Sequence, residues 1–182
     1  MTRRAAVSIL LMILLGTAAP VFADDACAGY KWDVSKERAL FAGAAAPLTA
    51  GLDPKSAPVV VPNRLYRMRL ARQDQVTLAR SVAKDAAAGK TPEADAYAGI
   101  ASLKISSPGS YRVAIDGPFW IDVLANGTPV AAKDFQGQHG CAAPRKIVEF
   151  ELAESQRFVL QLSNADREMV LLTITRSPAR KF

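Results

Sequence analysis

Three observations in the sequence predict an all-β chain, an antiparallel sandwich or jelly roll with a short N-terminal helical segment. Apolar and polar residues alternate in many short runs, turn residues separate those runs roughly every 8 to 15 positions, and no run alternates with a helical pattern as a βαβ unit would. An up-and-down barrel is the other fold this pattern allows.

The chain begins differently. Arg3 and Arg4 precede an uncharged apolar run, 5–15, which Gly16 and Pro20 break before Val21-Phe22-Ala23. A short basic stretch, an apolar stretch and small residues ahead of Asp24 are the parts of a secretory signal peptide, so residues 1–23 are expected to be cleaved and the protein to be periplasmic or secreted. The apolar run is too short for a bilayer core, which needs about 20 apolar residues. No transmembrane anchor is therefore expected after cleavage.

Removing 23 of 182 residues leaves 159, enough for one core and too few for two domains. The chain carries 23 Lys and Arg against 17 Asp and Glu, a net charge of +6; without Arg3 and Arg4 this becomes 21 against 17, or +4. Such a mild excess reads as solvated strand faces, and nucleic acid is not expected as a partner outside the cytosol. The two cysteines, Cys27 and Cys141, are expected to form one bridge in an oxidising compartment. Reactive or metal-binding thiols are the alternative, although no CxxC spacing supports them.

Along the mature chain, residues 24–63 read as a Pro-rich N-terminal segment stapled by that bridge, with a short helix starting near Asp33 or Ser35 and an edge strand near Val59. Residues 64–176 read as the sandwich and 177–182 as a basic tail. Tyr66, Met68 and Leu70 alternate with Arg67 and Arg69; Gln73-Asp74 then reads as a turn and 75–78 as the returning strand. Tyr111, Val113 and Ile115 form the next clear apolar face, followed by Phe119, Ile121 and Val123. Asn126-Gly127 is the strongest hairpin signal, because both residues tolerate positive φ. The triplets Val148/Phe150/Leu152, Phe158/Leu160/Leu162 and Val170/Leu172/Ile174 complete the set.

Gly109-Ser110-Tyr111-Arg112-Val113, then Phe119-Trp120-Ile121-Asp122-Val123 and a last pair of apolar strands, resemble the pre-peptidase C-terminal type of bacterial β-sandwich over residues 97–175. The chain also resembles small exported bacterial proteins without an assigned activity. These resemblances imply a fold and leave the function open.

Chemistry-bearing residues are few. Trp120 and Asp122 are expected to share the outward face of their strand, with Arg112 outward on the strand before, a surface able to stack on a sugar or hold a partner. Trp32, Asp33, Glu37 and Arg38 follow Cys27, so the bridge is expected to bring them near the loop of His139, the only histidine. Either an acid, an imidazole and an indole converge there, or Trp32 packs the bridge beside a surface Glu37 and Arg38 pair. The expected function is a non-enzymatic binding or accessory module of the cell envelope, for a glycan, lipid or protein surface, with no cofactor. A metal-binding protein using His139 and a hydrolase are the alternatives. Ser81 with Lys84, and Gly89-Lys90-Thr91, are fragments of acyl-enzyme and phosphate-loop motifs without their remaining parts.

Overall fold

A computed structural model describes residues 27–79, 95–153 and 158–178. The expected signal peptide, the motif fragments at 81–84 and 89–91, and residues 179–182 of the expected basic tail lie outside these residues. One helix, α1 (Ser35–Phe41), precedes the strands β1 (Ala46–Thr49), β2 (Val59–Val60), β3 (Leu65–Arg69) and β4 (Ala71–Arg72). After a single 3-10 turn at Gln73–Gln75 come β5 (Tyr97–Leu103), β6 (Gly109–Ile115), β7 (Trp120–Ala125), β8 (Thr128–Pro129) and β9 (Ala132–Gly137). The chain closes with β10 (Lys146–Leu152), β11 (Phe158–Ala165) and β12 (Met169–Arg176).

These strands form two sheets, a sandwich as expected rather than a barrel. Sheet A has the order β1-β3-β12-β6-β10-β9, and sheet B the order β2-β5-β11-β7-β8 with β4 added beside β5. The alternation read from the sequence puts one side of each strand inward. Val113, Ile115, Val148, Phe150, Leu172 and Ile174 of sheet A share one buried cluster with Ile121, Val123, Phe158, Leu160 and Leu162 of sheet B. The β7–β8 hairpin turns on Asn126 and Gly127, at φ 50° and 83°.

Two expectations are corrected. Residues 75–78 form no strand; the chain instead crosses to sheet B through β4, and Val76 then covers the outside of that sheet over Ala98, Ile100, Leu124 and Val159. The segment 24–63 is not separate from the sandwich, because β1 and β2 are its edge strands. Both pair parallel to their neighbours, β1 to β3 and β2 to β5, in an otherwise antiparallel fold. The prolines of this segment are tolerated there because edge strands leave some N–H positions unpaired.

The Cys27–Cys141 bridge is formed. It lays residues 27–41 across the outer face of sheet A, where Tyr30, Val34 and Cys141 are buried against Ala114 and Ile147, with Trp32 and Phe41 at the margin. Two polar contacts hold the same segment. The Tyr30 hydroxyl donates to the Pro144 carbonyl at 2.8 Å, and Lys31 N donates to Gln136 Oε1 at 2.8 Å.

The bridge closes a loop of 114 residues, which the chain-entropy treatment values at about 4 to 5 kcal/mol. Replacing both cysteines by Ser is therefore expected to lower the urea midpoint by up to that equivalent, with proteolysis first appearing in residues 27–41. Burial raises the Tyr30 phenol from 10.0 to about 12. Below pH 10 the folded and unfolded chains both carry the proton; between pH 10 and about 12 the unfolded chain ionises first, so stability falls as pH rises. Tyr30→Phe is expected to remove that alkaline component, read by denaturant melts across this range.

Candidate functional site

The outer face of sheet A is built in rows, because paired strands set side chains of one face opposite each other. The first row, Ile147 on β10, Ala114 on β6 and Thr173 on β12, is largely apolar and lies under the bridged segment. In the second row, Asp134 of β9 stands opposite Glu149 of β10, Glu149 opposite Arg112 of β6, and Arg112 opposite Thr175 of β12. Ser110 and Glu151 form a third, exposed row.

Arg112 sits at the middle of the second row, only 6% exposed. A buried guanidinium needs both charge compensation and partners for its donors. Its Nε donates to Glu149 Oε2 at 3.2 Å, and its Nη1 donates to the Asp33 carbonyl at 2.9 Å. Glu37 of α1 approaches the same guanidinium at 3.9 Å, while the Trp32 ring lies against it with the centroid 4.5 Å from Cζ. Glu37 and Glu149 are each 2% exposed. Thr175 Oγ1 donates to Glu37 Oε1, and Ser177 Oγ donates to Glu149 Oε2 at 2.8 Å. Glu37 Oε2 is buried without a hydrogen-bond partner.

Above this cluster an open groove of about 1080 Å³ runs between Trp32 and Asp33 on one side and Lys133 and Asp134 on the other, with Arg112 and Glu149 on its floor and Glu151 at its rim. Lys133 Nζ donates to Ser110 Oγ at 2.9 Å and to Glu151 Oε2 at 3.2 Å. The hydrogen bonds from Ser110 and Lys133 hold the Glu151 carboxyl below its ordinary pKa, so the rim stays charged at neutral pH. At the far end Arg176 donates to the Pro108 carbonyl at 3.0 Å and crosses over Gly109. Gly109 has φ +144°, and a Cβ there would come within 3.2 Å of the Arg176 guanidinium. A glycine at the start of β6 thus keeps this end open.

The structure brings some sequence-predicted residues together and separates others. Trp32 and Arg112 meet, although the sequence placed them in different surfaces. Trp120 and Asp122 do share the outward face of β7, but β7 is in sheet B and Arg112 is in sheet A, so the expected Trp120–Asp122–Arg112 surface is not formed. Trp120 is half-buried, with Lys146 Nζ 5.1 Å from its centroid. The helix α1 packs on sheet A, away from Trp120.

The expected surface pair of Glu37 and Arg38 is also corrected: Glu37 faces Arg112 beneath the segment. His139 stands apart from Trp32 in a small pocket of about 270 Å³ with Phe135, Gln138 and Arg145, and its Nδ1 lies 2.9 Å from Arg145 Nη2. Among the described residues, neither a serine nor a carboxylate lines that pocket. Among the described residues no group of three or more His, Cys, Asp or Glu is placed to hold a metal ion.

Sequence reasoning missed Glu149, Glu151 and Lys133. A signal existed: Glu149 and Arg112 are opposite charges, each set between apolar neighbours in a core strand. Their pairing required the register, which the sequence leaves open.

No protein-family model matches the chain, and neither a curated protein nor a solved structure matches it.

Removing the guanidinium leaves two carboxylates buried without their cation, a change that costs about 3 to 5 kcal/mol. Arg112→Met is expected to show a loss of that order in denaturant melts, and Glu149→Gln a smaller one. Combining them is expected to restore part of the stability, so a double-mutant cycle reads the coupling directly.

Proposed function

We propose that the protein is an exported, non-enzymatic binding module of the cell envelope and that the Trp32–Arg112 groove is its ligand site, taking a glycan. The observation that carries this reading is the groove lining: an indole stacked on a buried guanidinium, beside carboxylates, a lysine and a serine hydroxyl in an open channel. Sugars present apolar C–H faces that stack on an aromatic ring and hydroxyls that both donate and accept. A lining whose charges already pair with one another suits a hydroxyl-rich ligand better than a polyanion, which would have to displace Glu149 and Glu151 from their cations.

Export is supported by the leader-like residues 1–23 and by the bridge, which belongs to oxidising compartments. Among the described residues no helix is long and apolar enough to cross a membrane. The mature protein is expected to have a mass starting at Asp24, two hydrogens light for the bridge.

The reading is tested by binding of the exported protein to a panel of immobilised polysaccharides. Trp32→Ala is expected to weaken retention by about tenfold or more, as loss of a central aromatic contact does. Trp120→Ala, on the opposite sheet, is expected to change it little. Equal loss in both variants, or retention unaffected by Trp32→Ala, moves the site away from this groove.

A further inference from the structure

We infer that the protein pairs with a second copy of itself through β9, the two β9 strands lying antiparallel about Phe135 so that the two copies of sheet A become one. The pairing stands apart from what the groove binds.

β9 is an edge of sheet A: among the described residues no strand lies beyond it. Gln138 N donates to the Arg145 carbonyl at 3.1 Å, and Gln136 stands opposite Ile147. The backbone groups of Asp134, Gln136 and Gln138 therefore turn toward β10, and those of Phe135 and Gly137, one position out of step, turn away from the sheet. Such an edge is a template for a further strand unless something blocks it. The bulge at Glu149/Phe150 disturbs only the start of β9 and leaves 134–137 in regular register. The Phe135 N–H is covered by the Asp134 carboxylate, whose Oδ1 accepts it at 2.8 Å, a bond between exposed groups that a partner can replace.

Phe135 marks this edge as a contact. It stands opposite Val148, a core residue, so the register assigns it to the inner side of the sheet. Its ring is nevertheless 68% exposed, the most of any large apolar side chain among the described residues.

The second copy is the occupant because the edge complements itself. Antiparallel pairing centred on Phe135 sets the two Phe135 rings opposite each other and exchanges two backbone hydrogen bonds between them. On the outer face it sets each Asp134 opposite the other copy's Gln136. Gln136 Oε1 already accepts Lys31 N at 2.8 Å, which leaves its amide N–H groups to donate to that carboxylate. The same bond fixes Lys31, an exposed residue, above Gln136, so each ammonium stands beside the other copy's Asp134. Moving the centre to Asp134 would set like carboxylates opposite each other, and moving it to Gln136 would bring the two Lys31 segments together over the axis. Charge thus selects one register as well as one partner.

The experiment is sedimentation velocity of the mature, oxidised protein across the micromolar to millimolar range. A concentration-dependent dimer is expected. Phe135→Lys is expected to weaken it about tenfold or more with the melting temperature of the monomer unchanged, and Val59→Lys, at an exposed valine on the edge of sheet B, is expected to leave it intact. Lys31→Asp and Asp134→Lys are each expected to weaken the dimer, and the two together to restore it. In Phe135→Cys the paired Cα atoms would lie about 5.5 Å apart, within disulfide reach, so mild oxidation is expected to link the copies through position 135 with Cys27–Cys141 intact.

A monomer at every concentration overturns the inference. A dimer indifferent to Phe135→Lys overturns it too, since the contact then lies on another surface. A dimer that needs Phe135 but neither cross-links through position 135 nor recovers in the charge exchange overturns the strand pairing and its register.

Discussion

A guanidinium buried in the middle of a sheet face is the constraint on which the rest of this surface depends. Arg112 occupies a position that the alternation of β6 assigns to the outside of the sandwich, and it is nevertheless covered. Burying it alone would cost far more than a domain of this size has to spare. Everything around it answers that cost: Glu149 across one strand boundary, Thr175 across the other, Glu37 from the helix and the Asp33 carbonyl from the chain leading into it.

That arrangement explains why the N-terminal segment needs a covalent anchor. A seven-residue helix has little stability of its own, and α1 presents a glutamate to the sheet rather than an apolar stripe. The apolar contacts sit instead at Tyr30, Val34 and the bridge itself, over the Ile147–Ala114 row. Anchoring the segment there places Trp32 and Glu37 over the next row, where they complete the surroundings of Arg112. The outer face of sheet B is covered in part by apolar packing: Val76 and its neighbours close over Ala98, Ile100, Leu124 and Val159.

Most of the fold was legible because its signals are local. The triplets at 148–152, 158–162 and 170–174 each lie in one strand and keep period two, and Asn126-Gly127 needs only its own backbone to specify a hairpin. The misread parts depend on partners far along the chain. Residues 75–78 look like a strand, but the neighbouring place in sheet B goes to β4 and β2. The site was half legible for the same reason. Trp120 and Asp122 faced outward as expected, yet which outer face holds Arg112 follows from strand order, and consecutive strands β6 and β7 belong to different sheets. Trp32 beside Arg112, 80 positions apart, is a product of the bridge together with that order.

On the proposed reading, structural and recognition roles divide between neighbouring rows of one sheet face. Arg112 and Glu149 are fixed by strand register and by partners on both sides, so they hold the indole in place with little freedom to lose. Lys133, Asp134 and Glu151 stand at the exposed margin, where substitution costs the fold little. On the proposed reading, affinity comes from the rigid Trp32–Arg112 stack, whose ordering is complete before any ligand arrives. Selectivity comes from the margin, whose charged side chains stand on an edge strand, β9, and its neighbour β10. The buried pair is fixed by the fold while the margin is not, so on that reading a change at the margin retunes ligand choice without disturbing the pair beneath it.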